Sequence, residues 1–341
     1  MRRVWAHRGP ILLGQRPACG IQVAEHAVRA VGCDAAGAVA TVAQVEIQEP
    51  SAEGYAQAFR ALRLSAPGLA REAVCCGPPG WIEALPLRLP GAGDVEELLV
   101  EGARAHLSYA LHDAVLDYLG PEPRDDGTRR ALLVALPRER ALLLLAAAAH
   151  GGFRVRALET AGVGLQRLLR HTARLDARRA LVVHLEREHW IFLVLDAGSL
   201  HVERALAWGE ARLESAVAEQ LDLPPGAAAR LVRAGAGEAA RTEEEGAVAE
   251  AALEIVSPLL LELATEVERV LGYCRAEFRG AGVDRVLLSG AAGEVPCVRD
   301  ALRRLAPETE EVLTRGARES EHAVAHGLAL RFLEETCASS T

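Results

Sequence analysis

The chain has 341 residues, half of them apolar, with a formal net charge of −9; the length implies more than one structural unit, and the acidic balance argues against nucleic acid as a partner. All 38 basic residues are arginine, which stays protonated and forms no Schiff base. P-loop nucleotidases, protein kinases and pyridoxal enzymes, which need a lysine at a defined point, are thereby excluded.

Residues 1–17 are basic and read as a disordered tail, because they lack an apolar stretch of signal-peptide length. No run of about 18 uncharged apolar residues occurs, so no transmembrane helix is expected and the chain reads as cytoplasmic. Seven cysteines without a CxxC pair fit a reducing compartment.

The first ordered segment reads as three strands, "CGIQVA", "HAVRAVGC" and "GAVATVAQVEIQE", because apolar residues run or alternate between turn signals. A helix fits residues 52–64, with Tyr55, Phe59 and Leu62 at helical spacing. "REAVCCG" suits a buried strand, with Cys75 and Cys76 inside it. Residues 79–151 then read as strand, helix, two strands around "PRDDG", and a helix closed by glycine. A unit of that size folds as a small α+β subdomain.

Near residue 180 the order recurs. "RALVVHLE", "WIFLVLDAG" and "LHVERALAW" form a second meander, and "GEARLESAVAEQL" follows as an amphipathic helix. Two meander–helix copies point to a duplicated architecture. After a second helix, "AGAGEAARTEEEG" is polar and glycine-bearing and reads as a mobile loop, a linker rather than a phosphate site at Gly235 and Gly237. A long helix over 247–279 is expected to be interrupted or kinked at Pro258. "DRVLLSG" reads as a buried strand, "VPCVRDALRRL" as a helix with Pro296 in its first turn, and "SEHAVAHGLALRFLEE" as a final helix.

The hairpin "VVHLEREHWIFLVLDAG" carries a glycine-free tip of Glu186, Arg187, Glu188 and His189. His184, Glu186 and Glu188 would share a strand face, so a divalent metal held there is one reading. An exposed strand end with alternating charges is the plainer reading, with His189 in a solvated turn beside a packed Trp190, and no metal is expected. No GxSxG elbow or HExxH occurs, and no spacing favours a nucleophile–base pair.

Three segments carry a resemblance: "GIQVAEHAVR" is similar to GIDIGSSSVK, "VVHLEREHWIFLVLDAG" to LVDIGASTTRLVVLRDG, and "LLSGAAGEVPCV" to LLSGGGALLPGL. With "LHVERALAWG" and "HAVAHGLALRFL" in order, the chain from about 18 to 333 resembles the actin-like ATPase superfamily. Within it the chain is similar to the PilM-type pilus assembly proteins, relatives of FtsA. In working members an aspartate on each hairpin organises magnesium, and the next glycine lets backbone N–H groups approach phosphate. Here Gln22 and Ala24, followed by Glu25, stand at the first pair of positions, and His184 and Glu186 at the second. Arg29 stands at a lysine position, and the adenosine-side loop keeps Ser289, Gly290 and Gly293 but has Ala291 and Ala292 for glycines.

The resemblance implies an α/β, two-lobed actin-like fold with duplicated ribonuclease-H-like cores and a small α+β inserted subdomain. The lobes would span 18–175, with the insertion at 79–151, and 176–335, with a helical insertion at 216–282; 336–341 would be a tail. Gln22 and His184 would lie on opposite walls of a degenerate nucleotide cleft. The implied function is a non-enzymatic cytoplasmic scaffold of a type IV pilus-like machine, a pseudo-ATPase with no cofactor. It would bind the cytoplasmic tail of an inner-membrane PilN-type protein, in a groove between the first core and its insertion, and touch the membrane only through that partner. Two alternatives stay open: a divergent but active ATPase using magnesium and ATP, and the cytosolic component of a type II secretion platform.

Overall fold

The computed structural model describes residues 18–172, 178–238, 243–305, 309–311 and 321–338. The expected N-terminal tail lies outside them. The described residues form two compact units. One takes in the described parts of Met1–Leu175, Ser199–Glu203 and His322–Thr341, and the other those of Asp176–Gly198 and Arg204–Glu321.

In the first unit, β1 (Ala18–Val23), β2 (Ala27–Cys33) and β3 (Val39–Glu46) form the expected meander, and α1 (Ala52–Ser65) follows with Ser51 as its N-cap. The Ser51 side chain accepts from the Gly54 N–H, one of the donors a helix start leaves unsatisfied. β4 (Glu72–Cys76) runs parallel to β1. With β8 (Arg154–Leu158) the sheet has the order β3-β2-β1-β4-β8. β1 and β2 are buried at every residue, which is why they read as near-continuous apolar runs.

The insertion contains β5 (Glu83–Leu89), α2 (Val95–His106), β6 (Ala114–Pro123) and β7 (Arg129–Pro137), in a sheet of order β5-β7-β6. Leu87, Leu99, Leu116 and Leu133 are at the centre of its own core. The expected last helix of this subdomain, α3 (Arg138–His150), packs elsewhere: Ala141, Leu144 and Ala148 join Phe59 and Leu62 in the core of the main sheet. The insertion therefore closes near Pro137, short of residue 151.

α4 (Ala161–His171) follows β8 and is capped by Thr160. A second sheet repeats the meander with β9 (Ala180–Leu185), β10 (Trp190–Asp196) and β11 (Ser199–Leu206), of which Ser199–Glu203 group with the first unit, and α5 (Glu210–Gln220) follows in the second. β12 (Arg285–Ser289) lies parallel to β9, and β13 (Thr309–Glu311) lies outside it, giving the order β11-β10-β9-β12-β13. The two sheets share one topology, as the repeated meander predicts.

The polar segment expected as a loop is largely helical. α6 (Pro225–Glu238) runs through Gly235 and Gly237, and α7 (Glu243–Glu277) takes in Glu243, Glu244 and Glu245, with 239–242 outside the described residues. α7 also continues through Pro258 as one element. After α8 (Pro296–Leu305), the expected final helix is two, α9 (Ala323–Ala329) and α10 (Arg331–Ala338). Both belong to the first unit, not to a lobe running on to 335. The reason is close packing. A Cβ on Gly327 would stand 1.8 Å from the Gly164 carbonyl oxygen, and one on Gly20 would stand 1.9 Å from that of Ala325. Small residues let α9 lie directly on α4 and β1.

Candidate functional site

In each meander the tight turn between the first two strands lies at the position the resemblance marks for phosphate. In the first unit, Gln22 is the penultimate residue of β1, fully buried, opposite Arg29 on β2. The Ala24 N–H donates to the Ala27 carbonyl at 2.8 Å, which closes the turn with Ala24 buried and Glu25 and His26 exposed. The Arg29 guanidinium donates from Nε to Gln44 Oε1 at 3.1 Å, and only 7 % of the residue is exposed. Glycine at Gly20 is explained by the approach of α9 alone.

The second unit repeats this geometry with different chemistry. His184 is the penultimate residue of β9, and the Glu186 N–H donates to the His189 carbonyl at 2.9 Å. His184 Nε2 lies 3.1 Å from Glu186 Oε1, and Nδ1 lies 2.9 Å from Ser289 Oγ at the end of β12. A carboxylate only accepts, so Nε2 carries a proton toward Glu186, and in the neutral ring Nδ1 accepts from the Ser289 hydroxyl. All three side chains are buried, His184 to 1 % and Glu186 to 6 % exposure. Parallel pairing of Ser289 with His184 sets them side by side across 105 residues of sequence.

The order hydroxyl, imidazole, carboxylate is also that of a hydrolytic triad, a nucleophile–base pairing that spacing alone did not show. Ser289 is only 3 % exposed, and a hydroxyl so covered does not meet an acyl substrate. The arrangement therefore fills space and holds the loop.

The hairpin tip is held by α5. The Ala211 N–H donates to the Arg187 carbonyl at 2.8 Å and the Glu210 N–H to the Glu186 carbonyl at 3.4 Å. Such N-terminal amides make a helix start a site for anions; these two face carbonyl oxygens instead. Gly209 permits the approach, since a Cβ there would stand 2.3 Å from the Arg187 oxygen. Arg187 pairs with Glu214 at 2.6 Å and Arg233 with Glu210 at 2.7 Å. Gly290 has φ +91° and a Cβ on it would stand 2.2 Å from the Leu185 carbonyl, so this adenosine-side glycine is required by packing against β9. The Gly293 N–H donates to the Gly290 carbonyl at 3.0 Å, which closes the loop that begins at Ala291.

The structure brings His184, Glu186, Ser289 and Gly290 together in one unit, while Gln22, Ala24 and Glu25 lie in the other. Three readings of the tip change, the first being that the strand end expected as exposed is buried at His184 and Glu186. Glu188 lies beyond the end of β9 rather than on its face, and among the described residues no group of three ligating side chains is placed to hold a metal. His189 is buried, 4 % exposed, not solvated. Trp190 is packed as expected, against Trp208 with ring centroids 3.9 Å apart.

A carboxylate that the motifs did not mark lies in the first unit. Glu203 on β11 accepts from the Gly162 N–H at 3.0 Å and from the Thr160 hydroxyl, so it caps the start of α4. Burial pushes its carboxyl up to about 7, against the opposing pull of those two hydrogen bonds.

No protein-family profile matches the chain, and no curated protein matches it. Solved structures do. The PilM–PilN type IV pilus biogenesis complex is similar with a TM-score of 0.77 at 19 % identity, over 94 % of this chain and 99 % of that one. The ethanolamine utilization protein EutJ of Carboxydothermus hydrogenoformans gives 0.58 at 14 % identity, over 93 % and 90 %. MreB5 of Spiroplasma citri bound to ADP gives 0.53 at 8 % identity, over 95 % and 98 %. The chain has the actin-like ATPase fold.

Proposed function

We propose that this chain is a scaffold on an actin-like fold that no longer uses nucleotide. In this reading it binds the cytoplasmic tail of an inner-membrane PilN-type partner within a pilus-like assembly machine. The carrying observation is the Ser289–His184–Glu186 set. Both ring nitrogens of His184 are engaged where a metal-organising carboxylate would stand. The Glu186 carboxylate opposes an anion; two like charges about 4 Å apart repel by about 4 kcal/mol at an effective dielectric of 20. With Gln22 and Ala24 on the first hairpin, neither turn offers a carboxylate and a glycine together. Magnesium nucleotide does not fit this residue set.

Partner binding is supported by the likeness to the PilM–PilN complex, which extends over nearly the whole of both chains. The place for a peptide is the junction of the first core with its insertion. There Trp81 meets Tyr55 edge-on at 5.6 Å, and the Arg140 guanidinium lies 4.6 Å from the Trp81 ring. Membrane association follows through the partner.

Fluorescence anisotropy with a labelled peptide of the PilN-type cytoplasmic tail encoded in the same genome tests this. Saturable binding that is unchanged by Mg-ATP is expected, with Arg140→Glu weakening it about tenfold or more. Absence of binding overturns the partner. The second reading, a divergent ATPase, is favoured by the ADP held in a protein of this fold; binding that appears only with Mg-ATP would support it.

A further inference from the structure

The edge strands of the three sheets are β3 and β8, β11 and β13, and β5 and β6. An edge leaves backbone N–H and C=O groups open to another strand, and charge, proline or shortness guards against it. All but β3 are guarded. β8 carries Arg154 and Arg156, β11 carries His201, Glu203 and Arg204, and β13 is three residues long with Glu310 and Glu311. In the insertion β5 holds Pro86 and Arg88, and β6 holds Pro121 and Pro123. From Val39 to Val45, β3 has neither charge nor proline. Val42 is 46 % exposed, and Ala40, Gln44 and Glu46 are exposed beside it.

The ladder with β2 shows which groups point outward. The Ile47 N–H donates to the His26 carbonyl at 2.8 Å, so Ile47 and alternate residues before it direct their backbone groups into the sheet. Pairing is regular from Thr41 to Glu46, with one slip where Gly32 faces Thr41 and Cys33 faces Val39. Val42, Gln44 and Glu46 therefore turn their N–H and C=O toward the open edge. The two ends of this edge are unlike. Glu46 and Glu49 are exposed at one. At the other, exposed His171 lies so near Gly37 that a Cβ there would stand 2.8 Å from its Cε1. Asp34 in that turn is already engaged by the Ala36 and Ala38 N–H groups, at 2.8 and 2.9 Å.

We infer that two copies of this chain associate through β3, the strands running antiparallel about a two-fold axis near Ala43. Val42 then pairs with Gln44 of the second copy, and Glu46 lies opposite Ala40 of the second copy. The acidic end of each strand meets the turn of the other, where the His171 imidazole donates to a carboxylate. Parallel pairing would set Glu46 against its own copy, and like charges directly opposite are unfavourable. A two-fold interface presents the same patch twice, and the one unguarded edge is such a patch. The association adds to the scaffold reading and does not depend on it.

Analytical ultracentrifugation of the full chain from about 1 to about 100 μM tests it, and a dimer fraction that grows with concentration is expected. Val42→Lys places a charge at an exposed position of the edge and should weaken association about tenfold or more. Val42→Pro removes an outward N–H that the ladder with β2 does not use, and should weaken it likewise. Circular dichroism of the Lys variant should match the parent, and this variant decides alone if the Pro variant does not fold. A parent chain that stays monomeric throughout would overturn the inference and leave the edge to a strand of a different protein. A dimer that survives Val42→Lys undiminished would overturn it as well.

Discussion

Gln22, Ala24, His184 and Glu186 could be read as departures because the flanking apolar pattern fixes where each hairpin turns. Their new partners could not, since Ser289 lies 105 residues from His184 and only parallel pairing of β12 with β9 joins them. If the set is a structural fastening, Ser289→Ala leaves a buried imidazole nitrogen without its donor and should cost about 1–3 kcal/mol by chemical denaturation. A neutral result would mean the hydroxyl contributes nothing to holding the loop. Glu203 gives a second residue-scale prediction. Its folded carboxyl, raised from 4.5 to about 7, keeps its proton over a window in which the unfolded chain has lost it. Stability from this group is therefore fullest below about pH 4.5 and declines as pH rises to 7, by on the order of 3 kcal/mol. Glu203→Gln should flatten the melting temperature profile across that window; an unchanged slope would show that another group sets it.

At the scale of elements, the meanders and α1, α2, α5 and α8 follow from periodicity, whereas three features did not. β8 and β13 are short strands, and β8 alternates arginine with apolar residues. α4 carries Gly164, a weak helix former whose role appears only when α9 is seen beside it. The polar stretch before α7 reads as a loop because its glycines and glutamates carry no apolar stripe, yet its described residues are helical. The small-residue crossing yields paired expectations. Gly327→Ala should lose about 3 kcal/mol, since backbone must move to admit the Cβ. Gly272→Ala, in α7 with nothing within 4 Å of the new Cβ, should gain about 0.5–1 kcal/mol. Denaturation of both variants checks this, and equal effects would remove the argument that contact rather than helix propensity governs the crossing.

For the whole molecule, the repeated meander was sufficient to predict two sheets of like topology, and the order β3-β2-β1-β4-β8 is matched by β11-β10-β9-β12-β13. What the sequence could not give was the return of the chain's last helices to the first unit, because that depends on close backbone approach and not on pattern. On this fold nucleotide use is decided by the residues placed on the shared frame and not by the frame itself. Restoring Gln22→Asp, Ala24→Gly, His184→Asp and Glu186→Gly together should give little or no stabilisation by Mg-ATP, because α5 and Gly290 still hold the second loop closed. A full site would show it clearly, since ligand at 100 times its dissociation constant adds about 2.7 kcal/mol. The most direct test is isothermal titration of the unaltered full chain with Mg-ATP. Featureless heats to millimolar nucleotide are predicted; a saturable isotherm with micromolar affinity would contradict the loss of nucleotide use and make the divergent ATPase the better reading.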